Sequence, residues 1–173
     1  GAASAYARAL ELAPGTKFYS VERARHLAAA GDVDEALASL RALADVDAED
    51  TYVPVQLADL AYEHDRLDAC LAACALVESR DPETPTPRAI GGAARTKAGD
   101  LEGGVALLRE AIRKRPTYAW AYRELGRAFS RAGRHDDAVA AAAAAAGLVE
   151  NPLATFYLGD ALARGGHGGD AMS

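Results

Sequence analysis

The sequence predicts an all-α fold in which antiparallel helical hairpins stack one on the next. Three observations predict it. Several columns of residues recur at a spacing of 34. Apolar residues inside each segment fall at helical intervals. Glycine and proline punctuate the segments where helices should end.

The columns are independent of one another. The residue that ends the first helix of each segment is Gly31, then Asp65 in a glycine's place, then Gly99, Gly133 and Gly166, with steps of 34, 34, 34 and 33. Seven positions earlier stand Ala24, Ala58, Gly92, Gly126 and Gly159, and five positions later Ala36, Cys70, Gly104, Ala138 and Ala171. Pro14, Pro82 and Pro116 mark the other end of the unit. A unit of this length is one helical hairpin. It cannot bury its apolar face alone, so neighbouring copies stack on it.

The first helices are predicted at 17–30, 52–64, 86–98, 118–132 and 153–164. The second helices begin in GDVDEALASLRAL, DRLDACLAACALV, GDLEGGVALLREAI and GRHDDAVAAAAAAA. In the first of these, Val33, Ala36, Leu37, Leu40 and Leu43 share one face. Glycine or aspartate opens the tight turn between helices. Acidic residues follow in the next first turn, where the helix dipole favours them.

The unit beginning at Ala119 carries Tyr122, Leu125-Gly126, Phe129, Gly133 and Ala138, and the opening of the chain carries Ala2, Tyr6, Ala9, Leu10 and Pro14. These residues resemble the tetratricopeptide repeat family, with its W-x2-L-G-x2-Y, A-x3-F and P pattern. The resemblance implies a right-handed α-solenoid of stacked antiparallel hairpins. It covers 1–173 as a single array: 1–16 an orphan second helix, 17–50, 51–84, 85–118 and 119–151 full repeats, 152–173 a partial repeat. Two departures stand out. Gly91 and Arg95 occupy places usually held by large apolar residues, so the first helix of the third repeat is expected to pack loosely or slip by one. Ala142 replaces a bulky aromatic inside the seven consecutive alanines of 140–146.

Bulk properties limit the function classes. The 173 residues carry 19 Lys and Arg against 25 Asp and Glu, a net charge of −6. A generic nucleic-acid binder needs a cationic excess, so no nucleic-acid partner is expected. The apolar run from Ala138 to Val149 is too short and too weakly apolar to span a bilayer, and no membrane partner is expected. Two cysteines make no disulfide framework and fit a reducing, cytoplasmic setting. GAASAYARALELAPG has neither the basic nor the leucine-rich region of a signal peptide. It starts in mid-pattern without methionine, as expected of a piece of a longer chain. The Ala-, Arg-, Asp- and Gly-rich, lysine-poor composition points to a bacterium of high genomic GC content.

The resemblance implies a protein–protein interaction scaffold, in which the first helices line a concave groove that receives a peptide or partner segment. Residues four apart on a first helix share a face. In the fourth repeat that face carries Arg123, Arg127 and Arg131, with Trp120 one turn before. Lys97 is contributed from the preceding repeat, and Phe156 and Arg164 from the following one. In the second repeat it carries Asp59 and Glu63, with Tyr52 before and Tyr62 beside. The projected lining is acidic near the second repeat and basic near the fourth. The arginines suit a partner bearing carboxylates. The alternative is a solvated face whose arginines pair with Glu124 or Asp160. The family's chaperone-tail clamp of lysine, asparagine and arginine is not reproduced at Val21, Arg25, Gln56, Thr86 and Ile90, nor one repeat later.

No catalytic residue, cofactor or metal is expected. Cys70 and Cys74, four apart on a second helix, lack further zinc ligands and read as buried small hydrophobes. His26, His64, His135 and His167 are scattered without ligand spacing. No phosphate loop or nucleophile elbow occurs. A second reading makes the array the recognition arm of a larger transferase or ATPase. A third, RNA recognition by a related helical repeat, is opposed by the acidic charge. Apolar faces at the open ends, 1–16 and 152–173, are expected to self-associate.

Overall fold

The structure, a computed structural model, describes residues 4–6, 8–9 and 16–148. From Thr16 onward these form eight helices: α1 (Lys17–Ala30), α2 (Val33–Ala44), α3 (Tyr52–Glu63), α4 (Leu67–Arg80), α5 (Thr86–Lys97), α6 (Leu101–Lys114), α7 (Ala119–Arg131) and α8 (His135–Leu148). Residues 4–6 and 8–9 are helical as well, and no strand occurs among the described residues. The class is the all-α array of hairpins that the 34-residue columns predict. The helix predicted at 153–164 lies outside the described residues.

The four hairpin turns share one hydrogen-bond geometry. Gly31, Asp65, Gly99 and Gly133 all adopt positive φ, at 105°, 59°, 97° and 70°. At the first, Gly31 N–H donates to Ala28 O and Asp32 N–H to Leu27 O, both at 3.0 Å. The same pair of bonds recurs from Asp65 to Tyr62 and Arg66 to Ala61, from Gly99 to Thr96 and Asp100 to Arg95, and from Gly133 to Ser130 and Arg134 to Phe129. This is the Schellman closure, which satisfies the last carbonyls of the first helix and reverses the chain. Asp65 makes the turn without glycine, at the cost a side chain meets in the left-handed region. A Cβ at Gly31 or Gly99 would have nothing within 4 Å, so the penalty for alanine there is conformational alone. Gly31→Ala and Gly99→Ala are each expected to cost about 1 kcal/mol. Asp65→Gly is expected to gain up to about 1 kcal/mol. Shifts in the urea midpoint measure both, and a neutral Gly31→Ala would remove the conformational argument.

The chain divides into two compact units, Gly1–Ile90 and Gly91–Ser173, with the boundary inside α5. In the first unit, α1 pairs with α2 and α3 with α4, while α2 packs against α3 and α1 touches α3. Ala24 and its hairpin counterpart Ala36 are buried, as are Ala58 and its counterpart Cys70. Pro54 is buried in the first turn of α3, where its missing N–H leaves no bond unmade. Arg80, at the end of α4, donates to the carbonyls of Ala44 (2.9 Å) and Asp47 (3.0 Å). It also reaches Asp50 O, so one guanidinium ties down the turn between α2 and α3.

In the second unit, α6 packs against α7 and α7 pairs with α8. The expected looseness of the third repeat is corrected here. Gly92 and Gly104 bring α5 and α6 into backbone contact: a Cβ on Gly92 would lie 2.8 Å from Gly104 O and 3.0 Å from Leu108 N. A Cβ on Gly104 would collide with Thr96 Cγ2 and sit 2.6 Å from Gly92 O. The crossing is tight because both columns are glycine at once. Arg95 does not fill a core place; it is exposed, with Asp100 at 3.4 Å. On α8, Ala138, Ala141, Ala142 and Ala145 face the core, so a helix that is almost all alanine buries one stripe of it.

Candidate functional site

Amphipathic helices that turn their apolar side into the hairpin keep their polar side for something else. On α3, Val53, Leu57, Ala58, Leu60 and Ala61 are buried. Tyr52, Asp59 and Glu63 follow one another at spacings of seven and four residues and so share a different face. Tyr52 is 42% exposed and Glu63 is exposed, whereas Asp59 and Tyr62 are half-buried. Across from them on α1, Arg25 donates from Nη2 to Gln56 Oε1 at 2.7 Å. Burial pushes the Asp59 carboxyl up to about 6; Arg25 opposes the shift and the neighbouring Glu63 adds to it.

The arrangement on α7 corrects the arginine stripe. Glu124, between the arginines in sequence, is only 2% exposed. Arg127 Nη1 donates to it at 2.7 Å, and Arg123 Nε lies 4.0 Å from the same oxygen. That Nε is buried and makes no hydrogen bond among the described residues. The stripe is therefore partly neutralised, as the alternative with Glu124 has it, and Arg131 is its exposed end in the last turn. Trp120 is half-buried, its ring 6.1 Å from that of Tyr118. Arg115 stacks over Tyr118 at 3.6 Å. Lys97 is half-buried at the end of α5. Phe156 and Arg164 lie outside the described residues, as do Asp160 and His167. So do the apolar ends expected to self-associate, apart from residues 4–6, 8–9 and 16.

Three residues absent from the projected lining enter through the structure: Arg25, Gln56 and Glu124. The repeat register contains a signal for each. Arg25, Asp59 and Arg127 occupy one column, as do Gln56 and Glu124. A search for polar residues down a whole column, rather than along one helix, brings them out.

Cys70 and Cys74 are free and buried. The hydrogen bond with Cys70, then burial, raises the Cys74 thiol far above its usual range. Thiolate at Cys74 is therefore scarce and both sulfurs are shielded, so a thiol reagent such as Ellman's is expected to leave both cysteines unreacted in the native chain and modify them on unfolding. Fast native reaction would contradict the packing. His26 stacks on Tyr6 with ring centroids 5.3 Å apart, and His64 caps α3. Among the described residues, no three His, Cys, Asp or Glu side chains gather as for a metal ion. No helix there is long and apolar enough to cross a membrane.

A tetratricopeptide repeat family model matches residues 95–154. Among solved structures, the thermophilic TPR protein TTC0263 of Thermus thermophilus superposes with a TM-score of 0.80 at 20% identity, over 93% of this chain and 89% of its own. A structure of MamA superposes with a TM-score of 0.63 at 19% identity, over 87% of this chain and 82% of its own. No curated protein matches in sequence. At such identities the structural likeness speaks for the fold, while the family match, the columns and the four equivalent turns speak for the repeat itself. Residues 95–154 match the tetratricopeptide repeat family, and the chain has the fold of tetratricopeptide-repeat proteins.

Proposed function

We propose that the chain is a protein-binding scaffold whose first helices receive a peptide or partner segment along their polar faces. The observation that carries this reading is the buried and half-buried charge on those helices. Charged groups are costly to desolvate and are not required for a hairpin to close. Yet Asp59 is half-buried on α3, beside an apolar side that is already satisfied, and Glu124 is buried on α7 with Arg127 donating to it. Tetratricopeptide arrays serve as scaffolds rather than catalysts, and the reading assigns no reaction. Free, buried thiols fit the reducing cytoplasm in which such a scaffold would work.

On α7 the partner is one with acidic groups. Trp120 offers apolar area, while Arg123 and Arg131 offer cation donors and Arg127 is braced on Glu124. Arg127 is a poor test residue, because reversing it would set a carboxylate beside buried Glu124. Arg131 is exposed in the last turn, so its reversal separates binding from folding. Capture of acidic peptides from a displayed library by the full chain is expected to fall about tenfold in Arg131→Glu at low salt, with an unchanged melting curve. Equal capture by both proteins would remove α7 from the binding surface.

A further inference from the structure

We propose that two copies of the chain associate by charge, the acidic α2–α3 loop of one docking on the basic end of α6 in the other. The inference goes beyond the scaffold reading and uses neither the polar face of α3 nor that of α7.

The two compact units differ in charge. Residues 1–90 hold 8 Lys and Arg against 16 Asp and Glu, whereas residues 91–173 hold 11 against 9. The contrast is sharpest at equivalent places in the repeat. Asp45, Val46 and Asp47 stand 68 positions, two repeats, before Arg113, Lys114 and Arg115. A second helix ends at both places. The same columns are therefore acidic in one unit and basic in the other.

The acidic loop is braced. Arg80 holds the carbonyls of Ala44, Asp47 and Asp50, and Lys17 Nζ meets Asp47 at 2.9 Å and Asp50 at 3.0 Å. Asp45 and Glu49 are exposed, and no cation pairs with them among the described residues. Val46 is 81% exposed and supplies apolar area to bury. On α6 the Arg113 side chain is 74% exposed, and its contact with Glu110 is a long 3.8 Å. Arg115 is exposed with its guanidinium 3.6 Å from the Tyr118 ring centroid, and no carboxylate pairs with it among the described residues. Stacking holds that guanidinium in place and leaves its edge donors open to a carboxylate.

Charge complementarity favours a second copy over other anions. A nucleic acid drawn to these arginines meets a chain whose net charge is −6. A second copy brings carboxylates on a braced loop and offers its own arginines in return. The paired charges are exposed, so salt weakens the attraction.

The test follows the mass of the full chain by sedimentation equilibrium, over a range of protein concentrations at low and high salt. Wild type is expected to self-associate at low salt and to dissociate at high salt. Asp45→Lys with Glu49→Lys makes both patches basic, and Arg113→Glu with Arg115→Glu makes both acidic. Each doubly reversed protein is expected to self-associate at least about tenfold more weakly than wild type at low salt. Melting curves should stay unchanged, because all four side chains are exposed. If a reversal does lower the melting temperature, Asp45→Asn with Glu49→Gln and Arg113→Gln with Arg115→Gln read the same loss without a reversed charge. An equimolar mixture of the two reversed proteins is expected to restore association, since a basic patch again faces an acidic one. A monomeric wild type at low salt overturns the proposal. So does association that both reversed proteins keep, which would belong to the apolar ends. A mixture that stays monomeric overturns it too and leaves the arginines to an unrelated anionic partner.

Discussion

Gly104→Ala is expected to destabilise the second unit by about 2 kcal/mol. Overpacking a close contact costs about 1–3 kcal/mol, and the gain in helix propensity returns up to about 1 kcal/mol. The contact lies at the upper end of that range because the obstacle is backbone. The new methyl would stand 2.6 Å from Gly92 O and against Thr96, whose hydroxyl is bonded to Ala93 O at 2.9 Å. Neither can rotate aside, so α5 and α6 must separate. Gly92→Ala meets the same obstacle from the other side, 2.8 Å from Gly104 O. Gly126→Ala is the control in the next hairpin. Its Cβ would lie 3.4 Å from Ala138 O and 3.7 Å from Ala141 Cβ, which is ordinary contact. That substitution is expected to be neutral or stabilising by up to about 1 kcal/mol. Hydrogen exchange under rising urea reads the two hairpins separately, which matters because stacked repeats need not unfold together. Similar shifts for Gly104→Ala and Gly126→Ala would mean that the α5–α6 crossing is not unusually close.

Asp59→Asn is expected to stabilise the chain at neutral pH. The folded carboxyl titrates at about 6, against an ordinary 3.8. Between these values the folded state holds a proton that the unfolded state has lost. The stability contributed by protonated Asp59 is therefore fully present below about 3.8 and lost as pH rises through about 6. Full conversion of the shift would give about 3 kcal/mol. Partial exposure and solvent screening reduce this to about 1–2 kcal/mol. Urea midpoints of wild type and Asp59→Asn should differ most at pH 7.5 and converge by pH 4. A constant gap across that range would rule out burial of the charge as its cause. A residue whose neutral replacement stabilises the fold is the pattern expected where charge is kept for recognition.

Much of the array was legible in the chain. Helix α1 is predicted and observed over the same residues, α3 and α5 differ by one residue at one end, and α7 by one residue at each end. The turns were legible to the point of placing Asp65 in a glycine's column, where its φ of 59° now puts it. These features are local: a 3.6-residue period, a left-handed turn residue and an acidic first turn act within a few residues of themselves. The polar faces were half legible. Spacing placed Tyr52, Asp59 and Glu63 on one side of α3 and the arginines on one side of α7. It gave no account of which charge meets which.

The amino-acid order alone determined the helices, their hairpin turns, the 34-residue repeat and the columns that pack, because each follows from short-range backbone and burial preferences. The tertiary structure alone decided that Gly92 and Gly104 touch, that Glu124 is buried against Arg127, and that Arg25 is spent on Gln56 while Asp59 is left desolvated. Those outcomes depend on distances between separate helices, and over such distances desolvation and Coulomb energies change by several kcal/mol within a few ångströms.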